Sequence, residues 1–393
     1  MDKYAIVAIG YNRVNSILRL LNSLQNAHYG DDTITLIISI DNSGSDEVAE
    51  AAKSFDWKHG EKKIRTFPER QGLRKHILSC ADFFEEYDAL YVFEDDVIVS
   101  PAYYHYGKAC IAKYEDNNDI AGISLYALQW NPNANLPFSP MKSEYDTYFV
   151  QYAQSWGQIW LKKSFQEFKK WYNANLDFFE KEDVNIPSNL YVWGKNSWLK
   201  YHIAYCAMEN KYFVYPYASY ATVFTEAGTH SDMQLTRFHS EMILQEYRNE
   251  YKWAELDDKA VCYDAFYENL RVNDYLGKEI DAVAVIDLYG CRKVPEAGKY
   301  MLSTQILPYE VKREYGLQLR PIELNVYMDI DGKGIYLYDL TVAKNVRNQE
   351  RSEQIVRKWN YFMRERFLMM DEIIPVCKQK FGNLIRVLLK DKK

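Results

Sequence analysis

Three consecutive acidic residues, Glu94, Asp95 and Asp96, follow the apolar run 89–93. Adjacent carboxylates repel one another, and Mg²⁺ and Mn²⁺ prefer oxygen ligands, above all where substrate phosphates complete the coordination shell. A solvated turn, with Ser100 capping the next helix, is the alternative interpretation. The cap explains Ser100 but not the acids, so their spacing indicates a candidate site for a divalent cation and a diphosphate.

Several apolar segments that alternate with helical patterns must position these acids. Segments 4–9, 33–40 and 90–93 are continuous apolar strands, a shorter strand covers about 63–67, and a helix is predicted over about 74–86. This alternation predicts a parallel sheet, in which ligands bind at the carboxyl ends of the strands. Three loops are therefore expected to line one crevice: Gly10-Tyr11-Asn12-Arg13, Asp41-Asn42 and Glu94-Asp95-Asp96.

The pattern changes further along the chain. Residues 145–233 mix aromatic helices with short strands, and past about residue 260 short apolar strands and turns predominate. We expect an α/β domain over 1–255, with one half at about 1–125 and a second half at about 126–255. A smaller β-rich C-terminal module with closing helices is expected over 256–393.

Composition narrows the classes of function. The net charge of −7 argues against a general nucleic-acid binder, which needs a concentrated basic surface. The six cysteines lack paired spacing, which favours a reducing compartment over a zinc site or a disulfide framework. The 34 tyrosines provide rings that suit flat polar ligands such as sugars, although most must pack in the core.

The two ends of the chain bear on localisation. Residues 1–4 lead directly into the first strand and leave no room for a signal peptide, so we expect a cytoplasmic protein. The segment 378–393 is basic and apolar, and is a candidate for peripheral contact with an anionic membrane surface. A C-terminal docking helix is the alternative.

The order of these segments over residues 4–235 resembles nucleotide-sugar glycosyltransferases with the GT-A fold, a Rossmann-like mixed sheet flanked by helices. The loop at 10–13 resembles the one that holds the nucleotide, Asp41 stands where the family places an acid against the base, and 70–74 resembles a basic, glycine-bearing loop before the metal strand. The resemblance implies a donor-binding half at about 1–125 and an acceptor-side half at about 126–255. It also implies donor binding by Gly10, Tyr11, Asn12, Arg13, Asp41, Arg70, Arg74, Glu94 and Asp95.

The acids resemble the family's Asp-x-Asp element, in the Glu-Asp-Asp form of the Golgi N-acetylglucosaminyltransferases that begin N-glycan branching. In that group the last acid binds the metal, which implies that Asp96 holds Mn²⁺ or Mg²⁺ while Glu94 and Asp95 face the ribose and metal-bound water. Gly228-Thr229-His230 resembles a loop that closes over the diphosphate, which implies His230 as a second metal ligand. A structural histidine is the alternative.

On the acceptor side, Ser155-Trp156-Gly157 resembles a Trp-Gly element of the family, and Trp156, Gly157 and Trp198 are assigned there. Related inverting enzymes carry a carboxylate base close to 196–198, where this chain has Asn196 and Ser197.

Two other acids, Glu226 and Asp183, are the candidate bases, and each has an alternative interpretation as a surface acid. Either the base has moved, or the enzyme is retaining, or it is inactive.

The resemblance implies a metal-dependent hexosyl- or N-acetylhexosaminyltransferase, with inversion preferred. It would move a sugar from a nucleotide-sugar donor to a glycan or lipid-linked acceptor in the synthesis of capsule, lipopolysaccharide or a related surface polysaccharide. A noncatalytic glycan-binding protein on the same fold is the alternative, because 196–197 lacks an acid. A sugar-phosphate nucleotidyltransferase ranks behind both, because the loop 10–13 lacks the expected glycine richness.

Overall fold

The computed structural model describes residues 3–183, 185–224, 236–245, 248, 250–257, 259–277, 279–364 and 374. The strands in these residues are β1 (Tyr4–Gly10), β2 (Thr35–Ile40), β3 (Lys62–Thr66), β4 (Ala89–Glu94), β5 (Val97–Val99), β6 (Ile120–Ser124), β7 (Trp130–Asn131), β8 (Leu136–Pro137), β9 (Thr147–Val150), β10 (Gln158–Leu161), β11 (Tyr212–Pro216), β12 (Ala221–Val223), β13 (Cys262–Tyr263), β14 (Ala284–Asp287), β15 (Tyr300–Ser303), β16 (Tyr309–Tyr315) and β17 (Ile335–Ala343).

The helices of the same residues are α1 (Val14–Gln25), α2 (Glu47–Ser54), α3 (Leu73–Ser79), α4 (Tyr103–Tyr114), α5 (Lys162–Ala174), α6 (Leu199–Met208), α7 (Val272–Leu276), α8 (Leu324–Tyr327) and α9 (Asn348–Met363). Short 3₁₀ helices cover Cys80–Glu85, Phe178–Glu180 and Ser188–Val192. The helix predicted over 74–86 is therefore two elements, α3 and a 3₁₀ turn.

A mixed sheet of nine strands forms the centre of the molecule, in the order β13-β9-β11-β6-β10-β4-β1-β2-β3. The strands β4, β1, β2 and β3 are parallel to one another, as the alternation of strands and helices predicts. The strand β10 runs antiparallel between β4 and β6, which makes the sheet mixed. The prediction of an α/β fold with a Rossmann-like mixed sheet is confirmed.

The sheet is covered on both faces. Alternate residues of β1 point to opposite sides, so that Val7 belongs to one buried apolar cluster while Ile6 and Ala8 belong to another. A strand that is buried on both sides reads as a continuous apolar run in the sequence. This is why β1, β2 and β4 could be located from composition alone.

A second sheet of four strands, in the order β14-β15-β17-β16, forms the smaller β-rich module. The two-residue strand β13 pairs with β9 of the large sheet, beyond the predicted boundary at residue 255. Apolar residues of the small module, such as Leu302 and Leu337, share one buried cluster with Val7 of the large sheet. The division into 1–255 and 256–393 stays a proposal.

The structure can be compared with the predictions on membrane contact and on the cysteines for the described residues. Among the described residues no helix is both long and apolar enough to cross a membrane. The basic segment 378–393 lies outside the described residues. The five cysteines of the described part are free thiols, and four of them are buried.

Candidate functional site

The carboxyl ends of four parallel strands lie level with one another. Ile9 of β1 pairs with Glu94 of β4, and Ile40 of β2 pairs with both Gly10 and Thr66. The Asp41 amide continues this contact by donating to the Gly10 carbonyl at 3.0 Å. The loops that follow these strands therefore meet at one sheet edge, as the sequence predicts.

Arg13, in the loop after β1, joins that loop to the acids after β4. Its Nε donates to Asp95 Oδ2 at 3.2 Å, and its Nη2 donates to Asp95 Oδ1. The same Nη2 lies 3.7 Å from Asp96 Oδ2. Because the Asp95 side chain is only 8% exposed and Arg13 is 30% exposed, this is a largely desolvated, two-pronged ion pair.

The surroundings of the three acids disfavour their ionised forms. Burial, together with repulsion from Asp96 and Asp95, raises the pKa of Glu94 to about 8. Burial also raises the pKa of Asp95, against the effect of Arg13, and burial followed by the Asp95 charge raises that of Asp96. A cation that enters this cluster stabilises the ionised carboxylates.

Asp41 organises a second loop of the site. Its Oδ1 accepts hydrogen bonds from the amides of Asn42 at 2.9 Å and Gln71 at 2.7 Å, while its Oδ2 accepts one from the Gly72 amide at 2.9 Å. Asp41 is 4% exposed. Its carboxylate thus fixes the 70–74 loop to the end of β2, and contact with a nucleotide base stays a prediction.

A polar cluster forms around Ser39 of β2, two residues before Asp41, and the sequence analysis did not identify it. Ser39 Oγ shares a 2.7 Å hydrogen bond with His76 Nε2 and accepts another from Arg65 Nε at 3.0 Å. Burial lowers the pKa of His76 to about 4, so its ring is neutral at pH 7. Their spacing in the sequence gives no signal for this cluster, because the three residues come from different elements.

The two arginines assigned to the donor side separate in the structure. The Arg70 guanidinium lies 5.1 Å from the centre of the Tyr11 ring, which brings the first and third loops together. The Arg74 guanidinium lies 5.3 Å from the ring centre of Tyr201, on α6. Arg70 therefore lies at the carboxyl edge of the sheet, whereas Arg74 lies beside α6, in the half that is predicted to face the acceptor.

The Ser155-Trp156-Gly157 segment lies against the acids. Ser155 hydrogen-bonds to the Glu94 side chain. Gly157 has φ +88°, and a Cβ placed there would stand 2.7 Å from the Cβ of Ala221. Only glycine fits this turn without displacement, and the turn leaves the neighbouring Trp156 partly exposed beside Tyr126 and Phe238.

The remaining acceptor-side residues have different environments. Trp198, predicted to contact the acceptor, is 2% exposed and packs against Trp160 and His202 in the core. Asn196, where related enzymes carry an acid, is exposed just before α6. The carboxylate of the candidate base Asp183 accepts a hydrogen bond from the Asn185 amide at 2.8 Å.

The other candidate base, Glu226, and the candidate metal ligand His230 lie outside the described residues. Phe224, the last described residue before that segment, lies beside the acids, because its amide donates to the Asp96 carbonyl at 2.6 Å. The described residues contain no group of three or more His, Cys, Asp or Glu side chains that could hold a metal. A metal that takes one or two protein carboxylates and completes its shell with substrate phosphates needs no such group, and Asp96, 29% exposed, fits that kind of site.

The level strand ends, the acids after β4 and the glycine turn before the antiparallel β10 define a GT-A type domain. Residues 5–199 match the model of glycosyl transferase family 2. None of the curated proteins matches the chain.

Solved structures that match part of this chain include TarS residues 1–349 from S. aureus in complex with UDP-GlcNAc, at 13% identity and a TM-score of 0.38. That match covers 58% of this chain and 60% of the TarS chain. A mannosyltransferase from Pyrobaculum calidifontis, solved with GDP-Man and Mn²⁺, matches at 13% identity and a TM-score of 0.34, with 55% of each chain covered. This chain therefore spans less than two thirds of each of these proteins.

Proposed function

We propose that the protein is a glycosyltransferase that moves a sugar from a nucleotide-sugar donor to a glycan or lipid-linked acceptor. One observation carries the proposal: Arg13, Asp41 and the acids 94–96 converge at the carboxyl edge of the sheet, within the residues 5–199 that match the model of glycosyl transferase family 2. Such an edge is where open α/β sheets bind their ligands. The donor nucleotide is expected against the loop 10–13.

The chain's own residues supply the charges that a diphosphate requires. Arg13 holds Asp95 in place, which leaves the Asp96 carboxylate available at the rim. Arg70 and Tyr11 form a cation and ring pair next to the same loop, suited to a nucleotide base or a phosphate. A divalent ion at Asp96, Mn²⁺ or Mg²⁺, would neutralise the charge that develops on the departing nucleotide diphosphate.

Inversion at the anomeric carbon is the stereochemistry we propose. It needs a carboxylate that takes the proton of the acceptor hydroxyl as the new bond forms. Asp183 and Glu226 are the candidates for this base, and the exposed Asn196 cannot serve because an amide does not accept a proton at neutral pH.

A noncatalytic glycan-binding protein is the second candidate function. The observation that favours it is the amide at Asn196, exposed where related inverting enzymes carry an acid. The acids 94–96 favour the transferase, because recognition of a neutral sugar does not need three clustered carboxylates with raised pKa values.

Further parts of the proposal concern context. We propose a role in the synthesis of a cell-surface polysaccharide, such as capsule or lipopolysaccharide, with a hexosyl or N-acetylhexosaminyl donor. We further propose a cytoplasmic location, with peripheral membrane contact through the basic segment 378–393.

The deciding experiment measures nucleotide release from a panel of nucleotide sugars, with and without Mn²⁺, for the wild type and Asp96→Ala. Transferases hydrolyse their donors slowly in the absence of acceptor, so one donor is expected to release nucleotide in a Mn²⁺-dependent way. The Asp96→Ala variant should lose this release. Asp88→Ala is the matched control, because Asp88 is an acid at the opposite end of the same strand, where it accepts from the Lys3 amide.

Mn²⁺-dependent binding of the nucleotide diphosphate, measured by calorimetry, completes the test. Binding together with hydrolysis supports the transferase. If the wild type shows neither nucleotide binding nor release from any donor, the glycosyltransferase proposal is wrong and the glycan-binding function takes its place.

A further inference from the structure

A cavity of about 830 Å³ opens between α3, α5 and the start of α6. Cations predominate among the charged residues that line it, although the whole chain has a net charge of −7. The cations are Arg74, Lys75, Lys169, Lys195 and Lys200. The acids on the wall are Asp82 and Glu180. Since Asp82 is 72% exposed and lies 3.9 Å from Arg65 Nη1, it does little to offset the cavity's positive charge.

Lys200 is a buried cation of the cavity wall, and its partners are a carbonyl group and an aromatic ring. It is only 6% exposed, and its ammonium group donates to the Trp193 carbonyl at 3.2 Å and lies 4.6 Å from the ring centre of Phe179. In the part of the chain that the structure describes, no carboxylate lies within 4.0 Å of Lys200 or Arg74. A buried charge without a counter-ion is costly, and an anion in the cavity would relieve that cost.

The rest of the cavity wall is aromatic. The rings that line it are Tyr172, Phe179, Tyr191, Trp193 and Tyr201. Aromatic faces suit the apolar faces of sugar rings, while arginine and lysine bind phosphates and carboxylates. The combination is suited to a saccharide that carries negative charge.

The position of the cavity indicates which of the two substrates binds there. Arg74 follows two residues after Gly72, whose amide is bound by Asp41 at the donor edge. At the other end Lys195 and Lys200 flank Asn196 and Ser197, the stretch that family resemblance places at the acceptor. The cavity therefore adjoins the donor edge but extends along α3, on the acceptor side.

We propose that this cavity binds the acceptor, and that the acceptor is an anionic saccharide bearing phosphate or carboxylate groups. The inference rests on the proposed glycosyltransferase function and adds the chemical class of its second substrate. The shared chemistry is a sugar ring with an anionic substituent, and the cavity's cations serve phosphate and carboxylate alike.

The test measures binding of size-matched oligosaccharides to the full-length protein by calorimetry at low salt. The probes are maltohexaose, phosphorylated maltohexaose and hexagalacturonate, with tripolyphosphate as an anion without sugar. Both anionic saccharides, or one of them, should bind at least tenfold more tightly than maltohexaose and than tripolyphosphate. The preferred anionic saccharide identifies the substituent as phosphate or carboxylate.

Two neighbouring lysines of α5 provide a matched pair of variants. Lys169 lines the cavity, whereas Lys170 is exposed and does not, so Lys169→Gln and Lys170→Gln change the net charge equally. Lys169→Gln should weaken binding of the anionic saccharide about tenfold, as expected for one lost charge-assisted contact, and Lys170→Gln should leave it unchanged. Lys195→Gln, at an exposed position that tolerates substitution, should match Lys169→Gln.

Equal binding of neutral and anionic saccharides, or equal losses in Lys169→Gln and Lys170→Gln, would overturn the inference. Nucleotide release by the wild type, measured separately, distinguishes its failure from that of the proposed function. Release without binding of any anionic saccharide refutes the acceptor class alone. Binding of an anionic saccharide by a protein that neither binds nor hydrolyses any nucleotide sugar refutes the glycosyltransferase and, with it, the assignment of this cavity to an acceptor.

Discussion

The pair of Arg13 and Asp95 permits a quantitative prediction, because it joins loops 82 residues apart and is largely desolvated. In Arg13→Gln the Asp95 carboxylate, 8% exposed, loses its cation. Breaking a fully buried pair costs about 3–5 kcal/mol. Arg13 is 30% exposed, so water compensates in part, and we expect a loss of about 2 kcal/mol in the free energy of unfolding.

The reverse change should cost less. In Asp95→Asn the guanidinium keeps a partial partner in Asp96, 3.7 Å away, so a loss of about 1 kcal/mol is expected. The double variant, Arg13→Gln with Asp95→Asn, removes both charges, so that no buried charge is left without a partner. Its loss should be about 1–2 kcal/mol smaller than the sum of the single losses.

Urea unfolding in the presence of EDTA measures these free energies without any contribution from bound metal. For a chain of 393 residues, a loss of 2 kcal/mol corresponds to a fall in melting temperature of about 2–3 °C. Losses that add up, with a coupling energy below about 0.5 kcal/mol, would show that the pair does not tie the two loops together.

Two further predictions concern single positions. Gly157→Ala should lower the free energy of unfolding by about 2–4 kcal/mol, because the backbone there has φ +88° and the added Cβ would stand 2.7 Å from the Cβ of Ala221. Gly44→Ala, at φ +83° with nothing within 4 Å of the added Cβ, should cost about 1 kcal/mol. Similar losses for the two variants in thermal melts would contradict this prediction. Burial lowers the pKa of His202 to about 3, so the unfolded chain binds a proton there that the folded protein does not, and stability falls as the pH drops from about 6.5 to about 3. His202→Phe, which keeps the stacking on Phe168, should reduce the stability lost between pH 7 and 4.5 by about 2.5 kcal/mol in urea titrations, and an unchanged pH dependence would refute this assignment.

Much of the carboxyl edge of the large sheet could be predicted from local sequence. The apolar runs of β1, β2 and β4 appear in the order of the chain, and the residues that follow each run must lie where that strand ends. Once the strands are parallel neighbours, Arg13, Asp41 and Asp96 have to share one edge of the sheet. Strand position and loop placement depend on residues close in sequence, which is why the pattern sufficed.

Contacts between side chains that are far apart in the sequence could not be predicted from local sequence. The amides of Gln71 and Gly72 bind Asp41, which the sequence analysis assigned to the nucleotide base. Arg74, assigned to the donor, faces Tyr201, and Trp198, assigned to the acceptor, is buried. In each case the side chain's environment depends on how helices pack on the sheet.

Local sequence was enough to predict the parallel strands β1, β2 and β4 and the acids at the end of β4, because apolar periodicity acts over a few residues. The pairing of Arg13 with Asp95 and the burial of Lys200 beside a basic, aromatic cavity follow from the tertiary structure alone. The burial and the counter-ions of a charged side chain are set by elements far away in the chain, and no local pattern records them.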